Sequence, residues 1–381
     1  MTGGASGGDA IIIGAGIVGA ACAEALARDG WRVMILERGF PGCGATAAAM
    51  GHLVAMDDSP AQLALTAYGL RLWHARRAEL APEAEWLSSG TLWIAEDEDQ
   101  LEGARAKCVL YREAGVAADV ATGRELSELE PHLRPGLAGG ICVPDDAVLY
   151  PPAAARWLLD RARASGAELR EGVTVTGVAS HAVQTSDGDL HAEVVIVATG
   201  AHAPALIPEL PIVPRRGHLI VTDRYPGFCA HQLVELGYLA SAHTLHATSV
   251  AFNVQPRVTG QMLIGSSREL AGWDGAVSRD VVRQLVDRAL YFMPALAGVN
   301  VLRVWTGFRP ATPDALPLVG SWPALSGVWV AAGHEGLGIT TSLATAQIIA
   351  DQLAGRRAAI DPLPYAPDRS VVPAGRSAAH A

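Results

Sequence analysis

Lysine is almost absent from this chain: Lys107 stands alone among 29 basic residues. Acids outnumber bases by 39 to 29, giving a formal net charge of -10. No basic run offsets that balance, which excludes an electrostatic surface for nucleic acid. Cysteine is scarce too, and Cys22, Cys43, Cys108, Cys142 and Cys229 show no C-x-x-C or metal-ligand spacing. An iron–sulfur cluster or a metal centre of the chain's own is therefore not expected, and buried thiols of an intracellular protein are. No apolar run reaches bilayer-spanning length. Met1 to Asp9 lacks the basic start and apolar core of a signal peptide, so the expected location is cytoplasmic. With 381 residues, 50% hydrophobic and 18% charged, what remains is a globular chain long enough for two or more domains.

The strongest pattern present is Ile11 to Glu37: an apolar run, then Gly14-Ala15-Gly16-Ile17-Val18-Gly19, a small-residue helix, and Ile35-Leu36-Glu37. It reads as strand, glycine turn, helix and second strand. Gly14 allows the sharp turn, Gly16 removes the Cβ that would block a pyrophosphate, and Gly19 lets helix and strand pack closely. The helix N-terminus then offers free N–H groups and a positive dipole end to phosphates. Glu37 falls where a carboxylate accepts from a ribose hydroxyl. The pattern predicts a dinucleotide site without saying which dinucleotide.

The first helix is expected over Ile17 to Arg28, ending at Gly30, with Trp31 to Leu36 as a buried parallel strand. Gly42 to Thr46 and Ala47 to His52 form small-residue loops where backbone approaches a ligand. Cys43 reads as a loop thiol, and His52 as either a core or a functional histidine. A helix follows Ser59-Pro60. Trp86 to Ile94 reads as a strand pair broken at Gly90, and Glu96 to Gly115 as a charged surface helix carrying Lys107. Thr122 and Glu125 make a capping box. A strand is expected over Gly139 to Val143, a helix from Pro151 to Gly166, a hairpin at Ser186-Asp187-Gly188, and a strand over Val194 to Val197. From Pro214 the texture turns antiparallel, with strands at His218 to Thr222, Gly237 to Leu239, Val250 to Val254 and Gln261 to Gly265. Ser278 caps a helix. Val301 to Trp305 leads into Thr306-Gly307-Phe308-Arg309-Pro310. A buried strand, Val328 to Ala331, runs into Gly333-His334-Glu335-Gly336-Leu337-Gly338 and a long helix, and Pro, Ser, Ala and Arg beyond Asp361 suggest a flexible tail.

The fingerprint with Glu37-Arg38, the Ala45-Thr46 loop, Ala198-Thr199-Gly200, Arg309-Pro310 with Asp314 and Pro317, and the turn from Gly333 to Gly338 resemble the FAD-dependent D-amino acid oxidase superfamily. That superfamily includes glycine oxidase, sarcosine oxidase and D-amino acid dehydrogenase. The resemblance covers Asp9 to about Asp361. More closely, Met50-Gly51-His52-Leu53 with Asp57-Asp58-Ser59-Pro60, and Gly333 to Thr341, look like catalytic subunits of D-hydroxyproline dehydrogenase and their relatives in opine oxidases and hydrogen cyanide synthase.

The resemblance implies an α/β fold in which a Rossmann-like FAD-binding domain, residues 9–80, 146–212 and 303–360, is interleaved with an antiparallel-sheet (α+β) substrate domain, residues 81–145 and 213–302. Residues 361–381 form the tail. FAD is expected to be noncovalent, on Gly14, Gly16, Ile17, Val18, Glu37, Arg38, Ala45, Thr46, Met50, Gly51, Val175, Ala198, Thr199, Gly200, Gly333, Gly336, Leu337, Gly338, Ile339 and Thr340. A helix opening at Gly338 would stabilise the negative end of the reduced ring. Arg309 is the expected carboxylate ligand, holding the substrate's Cα–H against the flavin, and His52 the expected assisting residue. Arg215-Arg216 is a weaker candidate, with at least one of the two expected at the solvated surface.

The implied reaction is oxidation of an amino acid C–N bond to an imine by hydride transfer, with a D- or secondary amino acid such as D-hydroxyproline as substrate. Electrons would pass to a redox partner subunit, since Lys107 is poorly placed to assist oxygen. Two alternatives stay open: a glycine-oxidase-like enzyme that makes peroxide from N-substituted glycines, and a flavin-bearing electron-transfer or assembly subunit with no substrate. No membrane span or nucleic-acid partner is expected, and an oligomer is possible. Tyr238, Asn253, Gln255 and Trp273 fall in the block that should roof the flavin, each read as packing.

Overall fold

The structure, a computed structural model, describes residues 8–237 and 248–369. Its first sheet has six strands in the order Leu318–Ser321, Val328–Ala332, Val194–Val197, Asp9–Ile13, Arg32–Glu37, Glu168–Glu171. All neighbours are parallel except Leu318–Ser321, which returns antiparallel beside Val328–Ala332. Strand β1 (Asp9–Ile13) is central and buried on both faces. Its alternation decides the layers: Ala10 and Ile12 pack in the core shared with three helices, α1 (Ile17–Arg28), Pro151–Ala164 and Gly338–Leu353. Ile11 and Ile13 pack on the other side, with Val183 from the antiparallel ribbon Val175–Ala179, Ala182–Thr185 and Gly188–His191. This is the period of two expected of a strand covered on both faces.

The second sheet has eight strands in the order Val301–Ala311, Val213–Thr222, Met262–Arg268, Ser249–Pro256, Gln232–Glu235, Thr91–Ala95, Gly139–Val143, Asp119–Thr122. It is antiparallel except where Gln232–Glu235 runs parallel to Thr91–Ala95. Helix Arg279–Phe292, capped by Ser278, lays Val281, Leu285, Ala289 and Phe292 against Phe252 and Ile264. Thr122 and Glu125 do make a capping box on Gly123–Leu129.

Several sequence expectations need correction. Val301 to Ala311 is one continuous strand, paired along its length with Val213–Thr222. Arg309 therefore sits within this strand, and the segment expected to rejoin the nucleotide layer at 303 stays in the second sheet until 311. The Trp86 to Ile94 pair reduces to the single strand Thr91–Ala95 with one bridge, Leu87 to Val148. The expected strand Gly237 to Leu239 extends outside the described residues. Residues 361–369 are not a loose tail: Tyr365 is buried, its hydroxyl donates to Ala61 O at 2.6 Å, and Arg369 pairs with Asp314 at 2.8 Å. Both Arg215 and Arg216 are buried. Arg216 owes this to Glu269 and Asp274, at 3.1 and 2.8 Å.

Lys107 departs most from expectation. Helix Glu98–Glu113 exposes most of its charges, but Lys107 shares its buried face with Leu101, Ala104, Cys108 and Tyr111. It forms an ion pair with Asp57, and its ammonium lies 4.5 Å from the Trp93 ring centre. Among the described residues no helix is long and apolar enough to cross a membrane.

Candidate active site

A cavity of about 530 Å³ runs between the two sheets. Its first end is built by the glycine turn. Gly14 has φ +102°, and a Cβ there would lie 2.8 Å from Ala198 O, so the turn and the strand end at Val197 can approach only without a side chain. Neither α1 nor Gly338–Leu353 carries a side-chain cap at its N-cap residue, and both helix starts open on the cavity. Such termini leave N–H donors for an anionic ligand. Glu37 lines the wall, with its carboxylate accepting from Ala15 N and Gly39 N, both at 2.8 Å. Thr46 Oγ1 accepts from Ile17 N at 3.0 Å, which ties the small-residue loop to the start of the helix.

Gly14, Gly16, Ile17, Val18, Glu37, Arg38, Ala45, Thr46, Met50, Gly51, Val175, Ala198, Thr199, Gly200, Gly336, Gly338 and Ile339 all lie on this wall, with His52 and Arg309. Three residues of the same expected set do not. Gly333 turns with φ +80° against Thr312 and Leu318. Leu337 faces an adjoining chamber. Thr340 points its hydroxyl away, donating to His52 O at 3.0 Å and accepting from Val54 N at 3.2 Å, so it holds the segment that carries His52.

The adjoining chamber, about 80 Å³, shares His52, Asn253, Glu335 and Gly336 with the large cavity. Arg215, Arg268, Trp93 and Asp58 complete much of its wall. Arg309 stands at the junction: its Nη1 donates to Ser267 O at 2.9 Å, and its charge acts on both His52 and Glu335. Glu335 is a non-glycine residue at φ +46°, a costly left-handed conformation. Its backbone N donates to Pro310 O at 3.0 Å, fixing the turn to the strand of Arg309. Burial alone would raise its carboxyl, yet Arg268, Arg309 and Arg215 together hold it down at about 2. His52 is partly buried, and desolvation followed by the charges of Arg309 and Arg257 pushes it down to about 4, so it is neutral near pH 7. Its Nε2 has no hydrogen-bond partner among the described residues, as is also true of Thr199 Oγ1, Asn253 Oδ1 and Ser266 Oγ on the same cavity. Buried polar atoms left this way ask for a polar ligand.

Sequence reasoning missed several of these positions. Gly217 has no side chain because the Arg309 guanidinium lies where its Cβ would be. Gln255 donates to Met50 O at 2.7 Å and so supports the Met50-Gly51 backbone. Trp273, read as packing, is half exposed, stacks on His202 with ring centres 4.1 Å apart, and lines the cavity. Arg268 and Glu335 carried no local signal, since their role depends on a sheet register that one sequence does not display. Tyr238 lies outside the described residues.

A two-ended cavity with a glycine cradle at one end, helix starts whose N-cap residues supply no capping side chain, orphaned polar atoms and an arginine at the other fits a flavin dinucleotide. Residues 9–352 match the family described as FAD dependent oxidoreductase. The glycine oxidase of Geobacillus kaustophilus is 30% identical, over 95% of this chain and 97% of its own length. A D-amino acid dehydrogenase from Paramagnetospirillum magneticum is 29% identical, over 74% of this chain and 67% of its own. The crystal structure of glycine oxidase from Geobacillus kaustophilus superposes with a TM-score of 0.85 at 27% identity, covering 97% of this chain and 100% of that one.

Proposed function

The chain belongs to the FAD dependent oxidoreductase family, and from that premise we propose that it oxidises the C–N bond of an N-substituted glycine or another secondary amino acid, with oxygen as acceptor. The observation that carries the substrate half of this reading is Arg309 at the junction of cavity and chamber. A guanidinium there offers a bidentate seat to the substrate carboxylate and fixes the adjacent C–H against the cofactor. The likeness to glycine oxidase supports the choice of a small N-substituted amino acid.

FAD bound here, without a covalent link, supplies the hydride acceptor. The chain's own residues do the rest. Gly14, Gly16, Ala198 and the start of α1 would hold the pyrophosphate, and Glu37 would accept from the ribose. The start of Gly338–Leu353 offers positive potential to the reacting end. Arg309 binds the carboxylate. His52, neutral at pH 7, accepts or donates one hydrogen bond without adding a charge that would disfavour a deprotonated substrate amine. Residues 9–80, 146–212 and 312–369 form the cofactor domain, and 81–145, 213–237 and 248–311 the substrate domain.

One observation favours a second reading, a D-amino acid dehydrogenase that passes electrons to a partner protein. The sole lysine is tied to Asp57 behind Trp93 and does not line either cavity. Purified holoenzyme given sarcosine, glycine, and both enantiomers of proline and hydroxyproline separates the two. Stoichiometric peroxide with sarcosine supports the first, and turnover seen only with an artificial electron acceptor and a D-amino acid supports the second.

A further inference from the structure

Two buried hydrogen-bonding atoms on residues of the chamber wall have no part in the oxidation described above. Trp93 is 1% exposed and Asn253 5%, yet Trp93 Nε1 and Asn253 Oδ1 have no hydrogen-bond partner among the described residues. Both residues line the chamber. A buried polar atom left unpaired costs stability, so a wall that keeps two of them signals a ligand.

The sheet register brings the two residues together. Trp93 on Thr91–Ala95 lies opposite Val234 on Gln232–Glu235, and Val234 lies opposite Asn253 on Ser249–Pro256. Residues in direct register share one face of a sheet, and here all three face the chamber. Strands about 4.8 Å apart set the Trp93 and Asn253 backbones about 10 Å from each other, with only a valine between. That span suits an indole, one bridging group and a carboxamide in succession. The indole is also fixed from behind: Lys107 lines neither cavity, and its ammonium lies 4.5 Å from the Trp93 ring centre while it pairs with Asp57.

The two atoms dictate the chemistry of the bridge. An indole N–H only donates and a carboxamide oxygen only accepts, so the group between them must accept from one and donate to the other. A carboxylate or an ether only accepts, and an ammonium only donates. A hydroxyl does both. Water does too, but a chamber of about 80 Å³ has room for more than one water.

We propose that Trp93 and Asn253 are specificity residues for a hydroxyl on the nitrogen substituent of the substrate, Trp93 donating to its oxygen and Asn253 accepting from its O–H. This rests on the amine-oxidation reading above and deepens it. With the carboxylate on Arg309 and the reacting carbon turned towards the large cavity, the group beyond nitrogen is the part of an N-substituted glycine that enters the chamber. A two-carbon arm ending in a hydroxyl, as in N-(2-hydroxyethyl)glycine, is the simplest such substrate.

The test uses holoenzyme and two ligands that cannot react. (2-Hydroxyethoxy)acetate and propoxyacetate differ by a hydroxyl in place of a methyl, and an ether oxygen replaces the amine in both, so amine protonation does not enter the comparison. Calorimetry is expected to show the hydroxyl ligand binding roughly 10-fold more tightly or better, because the propyl ligand leaves both buried groups unpaired. Trp93→Phe, which keeps a ring and loses the N–H, is expected to cut that preference about threefold or more, and Asn253→Leu to do the same. Equal binding of the two ligands by the wild-type enzyme, or tighter binding of propoxyacetate, overturns the proposal even if neither variant folds. A wild-type preference undiminished in both variants also overturns it, and is the result expected if trapped water satisfies the two atoms. Anaerobic bleaching separates this failure from that of the underlying reading. Sarcosine that bleaches the flavin of an enzyme without hydroxyl preference leaves amine oxidation standing, whereas no bleaching by sarcosine or by N-(2-hydroxyethyl)glycine overturns both.

Discussion

Arg215 and Arg309 face each other across adjacent antiparallel strands, in the register that pairs Val213 with Ala311 and Gly217 with Gly307. Two guanidinium groups are thus delivered to one sheet face, and Glu335, on a turn hydrogen-bonded to Pro310, holds a carboxylate against them.

Arg309→Ala is expected to remove the carboxylate seat. Truncating one partner of a buried charged pair costs about 2–5 kcal/mol, so kcat/KM should fall by at least about 30-fold. Most of the loss should appear in KM, with flavin content unchanged. Steady-state kinetics on sarcosine checks this, and an unaltered KM removes Arg309 from the role.

Gly217→Ala is a quieter test of the same geometry. The new methyl would occupy the space of the Arg309 guanidinium, at the flexible end of a side chain. The guanidinium must swing away while the strand persists, so KM should rise by roughly 10-fold, about 1.4 kcal/mol, with little change in the melting temperature. Wild-type kinetics in this variant would mean that Arg309 binds substrate from another position.

Much of the fold was legible in the sequence because local chemistry states it directly. The Gly14 to Gly19 turn, α1 with its bounds, the Thr122–Glu125 capping box and the strand Val194–Val197 each depend on neighbouring residues alone. Lys107 was not legible: its helix is polar enough to read as a surface element, and only the tertiary approach of Asp57 and Trp93 buries it. Arg309 was named from its motif and lies on the cavity wall, but the contacts of Arg268 and Gly217 come from pairing between strands far apart in sequence, and those of Glu335 from a turn docked on the strand of Arg309.

Stability should depend on pH through His52 and His334, which burial holds down at about 4 and about 3. In the unfolded chain both protonate near 6.5, so as pH falls below 6.5 the unfolded state binds protons first and folding weakens. The loss grows until the folded-state values are reached, reaching for His52 an upper bound of about 3 kcal/mol. Asp146, raised by burial to about 7, acts in the opposite sense between about 4 and 7. His52→Gln should therefore flatten the acid side of a denaturant-midpoint profile. It should leave the acid limb of kcat/KM in place, since that limb reports the substrate amine; a limb shifted by His52→Gln would make this histidine the base.

Lys107→Met leaves Asp57 charged in a buried setting, and breaking such a pair costs about 3–5 kcal/mol. Chemical denaturation should show a clear drop in midpoint, and adding Asp57→Leu should restore most of it. If Lys107→Met alone is neutral, the ion pair contributes nothing and the helix is held by its apolar face.

The most direct measurement is anaerobic stopped-flow spectroscopy of the purified flavoprotein mixed with sarcosine and with iminodiacetate. Loss of the oxidised flavin band, with glyoxylate recovered after the mixture is quenched, is the expected result. A flavin that stays oxidised with both compounds, and with the proline and hydroxyproline enantiomers, would contradict oxidation of a secondary amino acid at the Arg309 site.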